Sequence, residues 1–402
     1  MVETNNRRFP VGIQSFEEIR KEGYLYVDKT DIIWQLANEG KKYNYLSRPR
    51  RFGKSVLVDT LEAYFMGKKE LFEGLKIMEM EKEWIKRPVI RLDMSRAGAE
   101  PDTLRSYLNN IFRQYEKEYS LVPNPTDSLA DRFNAIIVGS YEQTGQQVAI
   151  LIDEYDSPLQ HSWKTPQHEA CTSIYREVFA ILKADDKYEK FVFITGITKF
   201  TQISLFSVLN NLSNISFDPE YAAICGITKE EVLRDFKPEI NKLAEYEGWT
   251  FDDAVAQLTA YYDGYHFSRR NMVDVFNPFS LMLAFGKNKI GSYWFESGTP
   301  TFLIEKFKEF NVLPSMLKPT TAVASAFDAP TESMTSIIPL LYQAGYFTIK
   351  DYNEIGDIYQ LDIPNNEIRI GLMESLLPNY IRIDSYKGTT TVAEMYIALH
   401  ND

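Results

Sequence analysis

Cysteine is scarce in this sequence: 402 residues hold only Cys171 and Cys225. Two thiols cannot build a disulfide framework, and they lack the paired spacing of a zinc site, so a reducing, cytoplasmic setting is expected. Long apolar runs are missing as well. The most apolar stretches, Val148–Ile152 and Phe191–Ile194, fall far short of the ~20 residues a membrane-spanning helix needs and read as buried strands. Met1–Arg8 are polar and do not resemble a secretory leader. Positive charge is in deficit, with 44 Lys and Arg against 56 Asp and Glu, a net charge of -12. A large non-specific nucleic-acid surface is therefore not written into the composition, although a local basic patch stays open. Neither a G-x-S-x-G elbow nor an H-E-x-x-H helix occurs, which removes support for those hydrolase classes. His161, His168 and Cys171 lack a fourth ligand, so no zinc is assigned.

What is present is enough to fold. Hydrophobic residues make up 44% and aromatics 14% of the chain, which excludes wholesale disorder, and the length predicts two or three domains. In the N-terminal part, short apolar runs alternate with segments of helical period, the pattern of a parallel sheet wrapped by helices. Tyr43–Leu46, Pro88–Asp93, Val148–Asp153 and Phe191–Thr195 are the four predicted parallel strands. Val56, Leu57, Leu61, Tyr64 and Phe65 place a helix after the first, closed by Gly67. Beyond Phe217 the periodicity predicts helices over 228–245 and 251–262. A further helix over 337–344, a hairpin of Tyr346–Lys350 with Ile358–Leu361, and a helix from Asn366 suggest a winged-helix-like module. The domain expectation is 1–217 for the α/β domain, 218–285 for a helical subdomain and 286–402 for the winged-helix-like region. A helical run at 392–400 ends the chain without a closing element, as in a truncated protein.

Two motifs carry chemistry. Gly53-Lys54-Ser55 sits between the first strand and its helix, where main-chain N–H groups and a helix N-terminus face an anion. There Lys54 would bridge phosphates and the Ser55 hydroxyl would ligate Mg²⁺. The general loop pattern expects a glycine at position 48, where this sequence has Arg48 followed by Pro49; the alternative is a charged loop with a chance tripeptide. Val148–Ile152 ends in Asp153-Glu154, at the strand edge where open α/β sheets bind ligands. In this Walker B-like arrangement Asp153 would hold the metal and Glu154 would polarise the attacking water. Capping carboxylates would be the structural alternative, but they leave the upstream loop unexplained. Thr195, Thr198 and Lys199 follow at the same edge, where a γ-phosphate sensor would lie. Arg50 or Arg51 would serve as a built-in finger, against a solvated basic loop as the alternative. Tyr26 and Ile13 are candidates for packing on a base or in the core, Asp28 and Thr30 for a helix cap, and His266 for a switch contact or a hydrogen-bonded surface residue.

The segments Phe9–Ile13 with Phe16, Tyr26–Thr30, Arg48–Ser55 and Leu151–Asp156, followed by Tyr262–Tyr265, Asn277–Ser280, Ser297–Pro300 and Gly345-Tyr346, resemble the AAA-ATPase-like family of bacterial ATPases over nearly the whole chain. In that family an arginine is the usual occupant of the loop's first position. The resemblance implies an α/β P-loop NTPase with a parallel sheet flanked by helices, then helical and winged-helix-like α+β regions. Many members continue into a PD-(D/E)XK nuclease-like domain, which this chain is expected to lack. The expectation is thus an ATP-binding protein, a Mg²⁺-dependent ATPase whose nucleotide state moves its C-terminal domains. Its catalytic group is Glu154, Lys54 and Thr198; Arg50, Arg51, Phe52, Gly53, Lys54, Ser55 and Val56 form the nucleotide loop, and Ser55 and Asp153 hold the metal. The rival is a nucleotide-switched module that binds DNA or protein with little turnover, possible regulator of a nuclease. A protein partner or homo-oligomer fits at least as well as DNA, and no base-reading motif separates adenine from guanine.

Overall fold

The computed structural model describes residues 7–199, 212–269, 273–295, 306–312, 317–331 and 334–381. The run at 392–400 and the Ser297–Pro300 motif lie outside the described residues. The chain resolves into two compact units. The first comprises Met1–Arg48, Gly53–Cys225 and Pro330–Ser333; the second comprises Pro49–Phe52, Gly226–Ala329 and Met334–Asp402.

In the first unit the order is α1 (Phe16–Lys21), α2 (Thr30–Asn38), β1 (Tyr43–Ser47), α3 (Lys54–Phe65), α4 (Ile77–Met80), β2 (Val89–Asp93), α5 (Pro101–Glu118), α6 (Leu129–Thr144), β3 (Val148–Asp153), α7 (Ser157–Ser162), α8 (His168–Phe179), α9 (Ile181–Ala184), β4 (Glu189–Gly196) and β5 (Ser213–Asn214). The sheet order is β2-β3-β4-β1-β5 and every pairing is parallel. β4 therefore separates the strand that leads into the Gly53 loop from the strand that ends in Asp153. Because side chains alternate along a strand, Tyr43, Tyr45, Ile90, Leu92, Ile150, Ile152, Val192 and Ile194 join one buried cluster with Leu104, Leu108 and Phe112 of α5, Phe133 and Ile136 of α6, and Ile174 and Val178 of α8. Phe112 and Phe133 stack there with ring centroids 5.4 Å apart. On the opposite face Phe65 of α3 packs on Phe191 of β4 at 5.1 Å. Burial on both faces explains why the strands read as continuous apolar runs, and each such side chain contributes roughly 1.5–3 kcal/mol.

The parallel register sets Asp93 against Asp153 and Ser47 against Gly196, so the C-terminal ends of β1 to β4 lie along one edge. α3 is fixed beneath that edge by Arg91 of β2, whose guanidinium reaches Asp59 at 2.5 Å and Glu62 at 2.6 Å.

The second unit is built differently. Its helices are short and capped: Thr228 and Thr250 form reciprocal capping boxes with Glu231 and Asp253. The helix expected over 228–245 is two, Lys229–Asp235 and Lys237–Glu247, because Pro238 starts a new first turn. Phe251–Tyr262 matches its expected helix. β6 (Ile227–Thr228) pairs with β7 (Val275–Phe276), and β8 (Thr320–Val323), β9 (Thr348–Asn353) and β10 (Ile358–Asp362) form an antiparallel sheet in the order β8-β10-β9. The expected hairpin is β9–β10, flanked by helices at Ile338–Gln343 and Asn366–Ile381. β8 was not anticipated.

Candidate functional site

The loop after β1 is shaped by one glycine. Gly53 has φ of +90° and stands immediately before α3, a backbone state that a side chain disfavours. It turns the chain so that the first-turn N–H groups of α3, which have no partner within the helix, lie at the sheet edge. Lys54 is buried, and its Nζ donates to the Arg48 carbonyl at 2.9 Å. Burial lowers its pKa, while Glu154, Asp153 and Asp156 oppose that shift.

Asp153 and Glu154 approach the same lysine from the end of β3. Burial raises the pKa of Asp153, against a hydrogen bond from the Ser55 hydroxyl and the charge of Lys54. Glu154 is likewise raised by burial and held back chiefly by Lys54. Its φ of 47° is left-handed, unusual for a residue with a side chain. The turn is fixed by its N–H donating to Asp153 Oδ1 at 2.9 Å and by Tyr155 N–H donating to the Thr195 carbonyl at 3.1 Å. The structure thus brings Lys54, Ser55, Asp153 and Glu154 together. It adds Asp93, whose negative charge raises both Asp153 and Glu154. The sequence offered only a strand end to find it.

Thr195 and Thr198 lie on the same edge, both buried. The Thr195 hydroxyl donates to the Leu46 carbonyl at 2.8 Å. The Thr198 hydroxyl donates to Asp156 Oδ2 at 2.8 Å and accepts from Gln160 Nε2 at 2.9 Å; a contact to phosphate or water would have to replace one of these bonds. Arg48 is buried, with its guanidinium donating to the carbonyls of Ser47, Ser216 and Tyr221 at 2.8, 2.9 and 3.0 Å.

Residues 49–52 of the loop belong to the second unit. Phe52 is buried there, its ring edge-on to Tyr265 at 4.7 Å and Phe267 at 5.5 Å. Trp294 Nε1 donates to the Arg50 carbonyl at 3.3 Å, and the Arg51 guanidinium lies 4.6 Å from the Phe279 ring centroid. The side chains of Arg50 and Arg51 are exposed and Val56 is half-buried. His266, also in the second unit, is buried 3.2 Å from the Asp274 carboxylate. His161 Nδ1 lies 2.7 Å from the Ser157 carbonyl, His168 Nδ1 lies 3.1 Å from the Ser162 hydroxyl, and the Cys171 thiol donates to the Ala99 carbonyl at 3.3 Å. Among the described residues no group of three or more His, Cys, Asp or Glu side chains could hold a metal ion by itself. No helix among them is long and apolar enough to cross a membrane.

The sequence matches the family described as Predicted AAA-ATPase over residues 10–206. It is 35% identical over 387 residues to an uncharacterized protein in the vnfD 5′ region of Azotobacter chroococcum mcd 1, covering 94% of this chain and 71% of that protein. The chain belongs to the AAA-ATPase-like family. Its first unit is an α/β P-loop NTPase domain, with a five-stranded parallel sheet flanked by helices. Solved structures resemble it remotely. The Aeropyrum pernix Orc1 protein in complex with DNA has a TM-score of 0.27 and 9% identity, covering 85% of this chain and 89% of that one. Cdc6p from Pyrobaculum aerophilum has a TM-score of 0.28 and 12% identity, covering 87% and 90%. Likenesses this distant say nothing about function.

Proposed function

We propose that this AAA-ATPase-like chain binds ATP with Mg²⁺ at the edge formed by β1, β3 and β4 and hydrolyses it. The observation that carries the reading is the buried Lys54 at the start of α3, its Nζ on the Arg48 carbonyl, beside the Asp153 and Glu154 carboxylates at the end of β3. In Walker A and B terms, Ser55 and Asp153 are hard oxygen donors, the chemistry Mg²⁺ takes, and they are the residues that would hold it. Bound Mg²⁺ would supply neutralisation of phosphate charge. Gly53 and the first turn of α3 present main-chain donors to phosphate, and Lys54 exchanges its bond to the Arg48 carbonyl for phosphate oxygens. Glu154, whose carboxylate burial makes more basic than usual, takes the proton from the attacking water. Thr198 completes the polar edge.

Nucleotide state would be transmitted to the C-terminal regions, which we infer to be winged-helix-like and to dock a protein rather than a DNA duplex. The support is the β9–β10 hairpin, where Asp351, Glu354 and Asp357 surround a fully exposed Ile355.

Steady-state ATP turnover and Mg·ATP affinity test the reading. Lys54→Ala is expected to lose Mg·ATP binding, and Glu154→Gln to bind normally while turning over about 100-fold or more slowly. If the wild type and both variants all bind Mg·ATP and none turns it over, hydrolysis is withdrawn.

A further inference from the structure

Asp156 is almost fully buried, yet it is neither in the loop nor paired with a basic side chain by any ion pair among the described residues. Its Oδ2 accepts from the Ile197 N–H at 3.1 Å, the Thr198 N–H at 2.6 Å and the Thr198 hydroxyl at 2.8 Å, and also from Gln160 Nε2. One carboxylate oxygen from the segment after β3 thus collects the main chain of the segment after β4. The same two segments are joined a second time. The Tyr155 hydroxyl donates to the Thr198 carbonyl at 3.0 Å, with the Tyr45 hydroxyl donating to that oxygen at 3.3 Å. The Tyr175 hydroxyl holds the Tyr155 carbonyl at 2.7 Å. Every polar group of Thr198 is occupied.

The fit leaves no slack. A Cβ at Gly196 would stand 2.4 Å from Asp156 Oδ1 and 2.8 Å from the Tyr155 ring, so the close approach of the two segments requires glycine there. Between the fixed points of β3 and Tyr155 sits Glu154 in its left-handed conformation. Such a conformation is unfavourable for a residue with a side chain and persists only where its surroundings over-determine it.

We propose that Asp156, acting through Thr198, is a positioning residue for hydrolysis: it locks the exits of β3 and β4 into one block that holds Glu154 in its strained turn, with the carboxylate beside Lys54 and Asp153. This rests on the hydrolysis reading above. Under it, Thr198 serves by being held rather than by touching phosphate. Loosening the block leaves nucleotide binding intact, because Lys54 and Ser55 stand on α3, and impairs only the water-activating step.

The experiment uses the full chain and compares Asp156→Asn, Thr198→Val, Thr198→Ser and Tyr155→Phe with the wild type, measuring Mg·ATP affinity, kcat and Tm. Thr198→Val, nearly isosteric, and Asp156→Asn are expected to lower kcat by about tenfold to 100-fold at an affinity within about twofold of wild type. Thr198→Ser, which keeps the hydroxyl, restores kcat to within about threefold. A merely structural role would lower Tm and weaken Mg·ATP affinity together with kcat. Tyr155→Phe removes one bond from the other side of the block and covers the case in which Asp156→Asn fails to fold. Wild-type kcat in folded Thr198→Val and Tyr155→Phe overturns the positioning role while hydrolysis stands. A wild type that binds Mg·ATP without turnover overturns both.

Discussion

Glu189 opens β4 at the N-terminal edge of the sheet, far from the candidate site, and is fully buried. The Tyr43 hydroxyl lies 2.7 Å from Glu189 Oε2, 2.9 Å from Asp186 Oδ1 and 3.0 Å from the Leu182 carbonyl. A phenol has one proton to give, so a second proton in this group must stay on a carboxyl. Burial pushes Glu189 up from 4.5 to about 8, and it is the group that keeps it. The folded state therefore binds a proton that the unfolded chain releases above its ordinary pKa. Stability is greatest below pH 4.5 as far as this group is concerned, declines as pH rises toward 8 by at most roughly 1.4 kcal/mol per pH unit, and is flat above. Glu189→Gln, neutral at every pH, should show a shallower decline in thermal melts across that window and exceed the wild type above it. Parallel curves would refute the assignment. Nothing in the sequence marks Glu189 as a proton holder: it reads as the polar residue before an apolar strand, and only the fold brings Tyr43 to it.

At the scale of elements, the four buried strands and the helix after the loop were legible because burial on both faces leaves unbroken apolar runs, and Gly53 and Gly67 punctuate α3. β5 and β8 were not. Ser213–Asn214 is a two-residue polar edge and Thr320–Val323 is half-exposed, so neither carries a periodic apolar signal. Within the site, Lys54, Ser55, Asp153 and Glu154 could be read from motif and position. The engagement of Asp156 and Thr198, and the burial of Arg48 and Phe52, depend on neighbours far away in sequence. The β9–β10 hairpin yields a prediction of its own. Its acids repel phosphates, and the Lys350 ammonium is committed to the Gly264 and Pro364 carbonyls at 2.8 and 2.9 Å. In filter binding at about 50 mM and about 200 mM salt, duplex DNA should show no appreciable retention at either. Strong retention at the lower salt that collapses at the higher one would replace the protein-docking reading with a DNA-binding one.

At the scale of the whole molecule, the chain builds a P-loop domain on an all-parallel five-stranded sheet around an unusual loop. Arg48 stands where the general pattern has glycine, and its guanidinium ties the end of β1 to Ser216 and Tyr221. Arg48→Gly would bring the loop closer to the common signature. It would also strip the donors from three carbonyls, two of them in the interior. The expected cost is about 3 kcal/mol, read as a fall in Tm on the order of 10 °C; an unchanged or higher Tm would contradict this role. Conformity to the widespread spelling and soundness of the fold are opposed at this position. An engineer who normalised the signature to improve nucleotide capture would be removing a rivet.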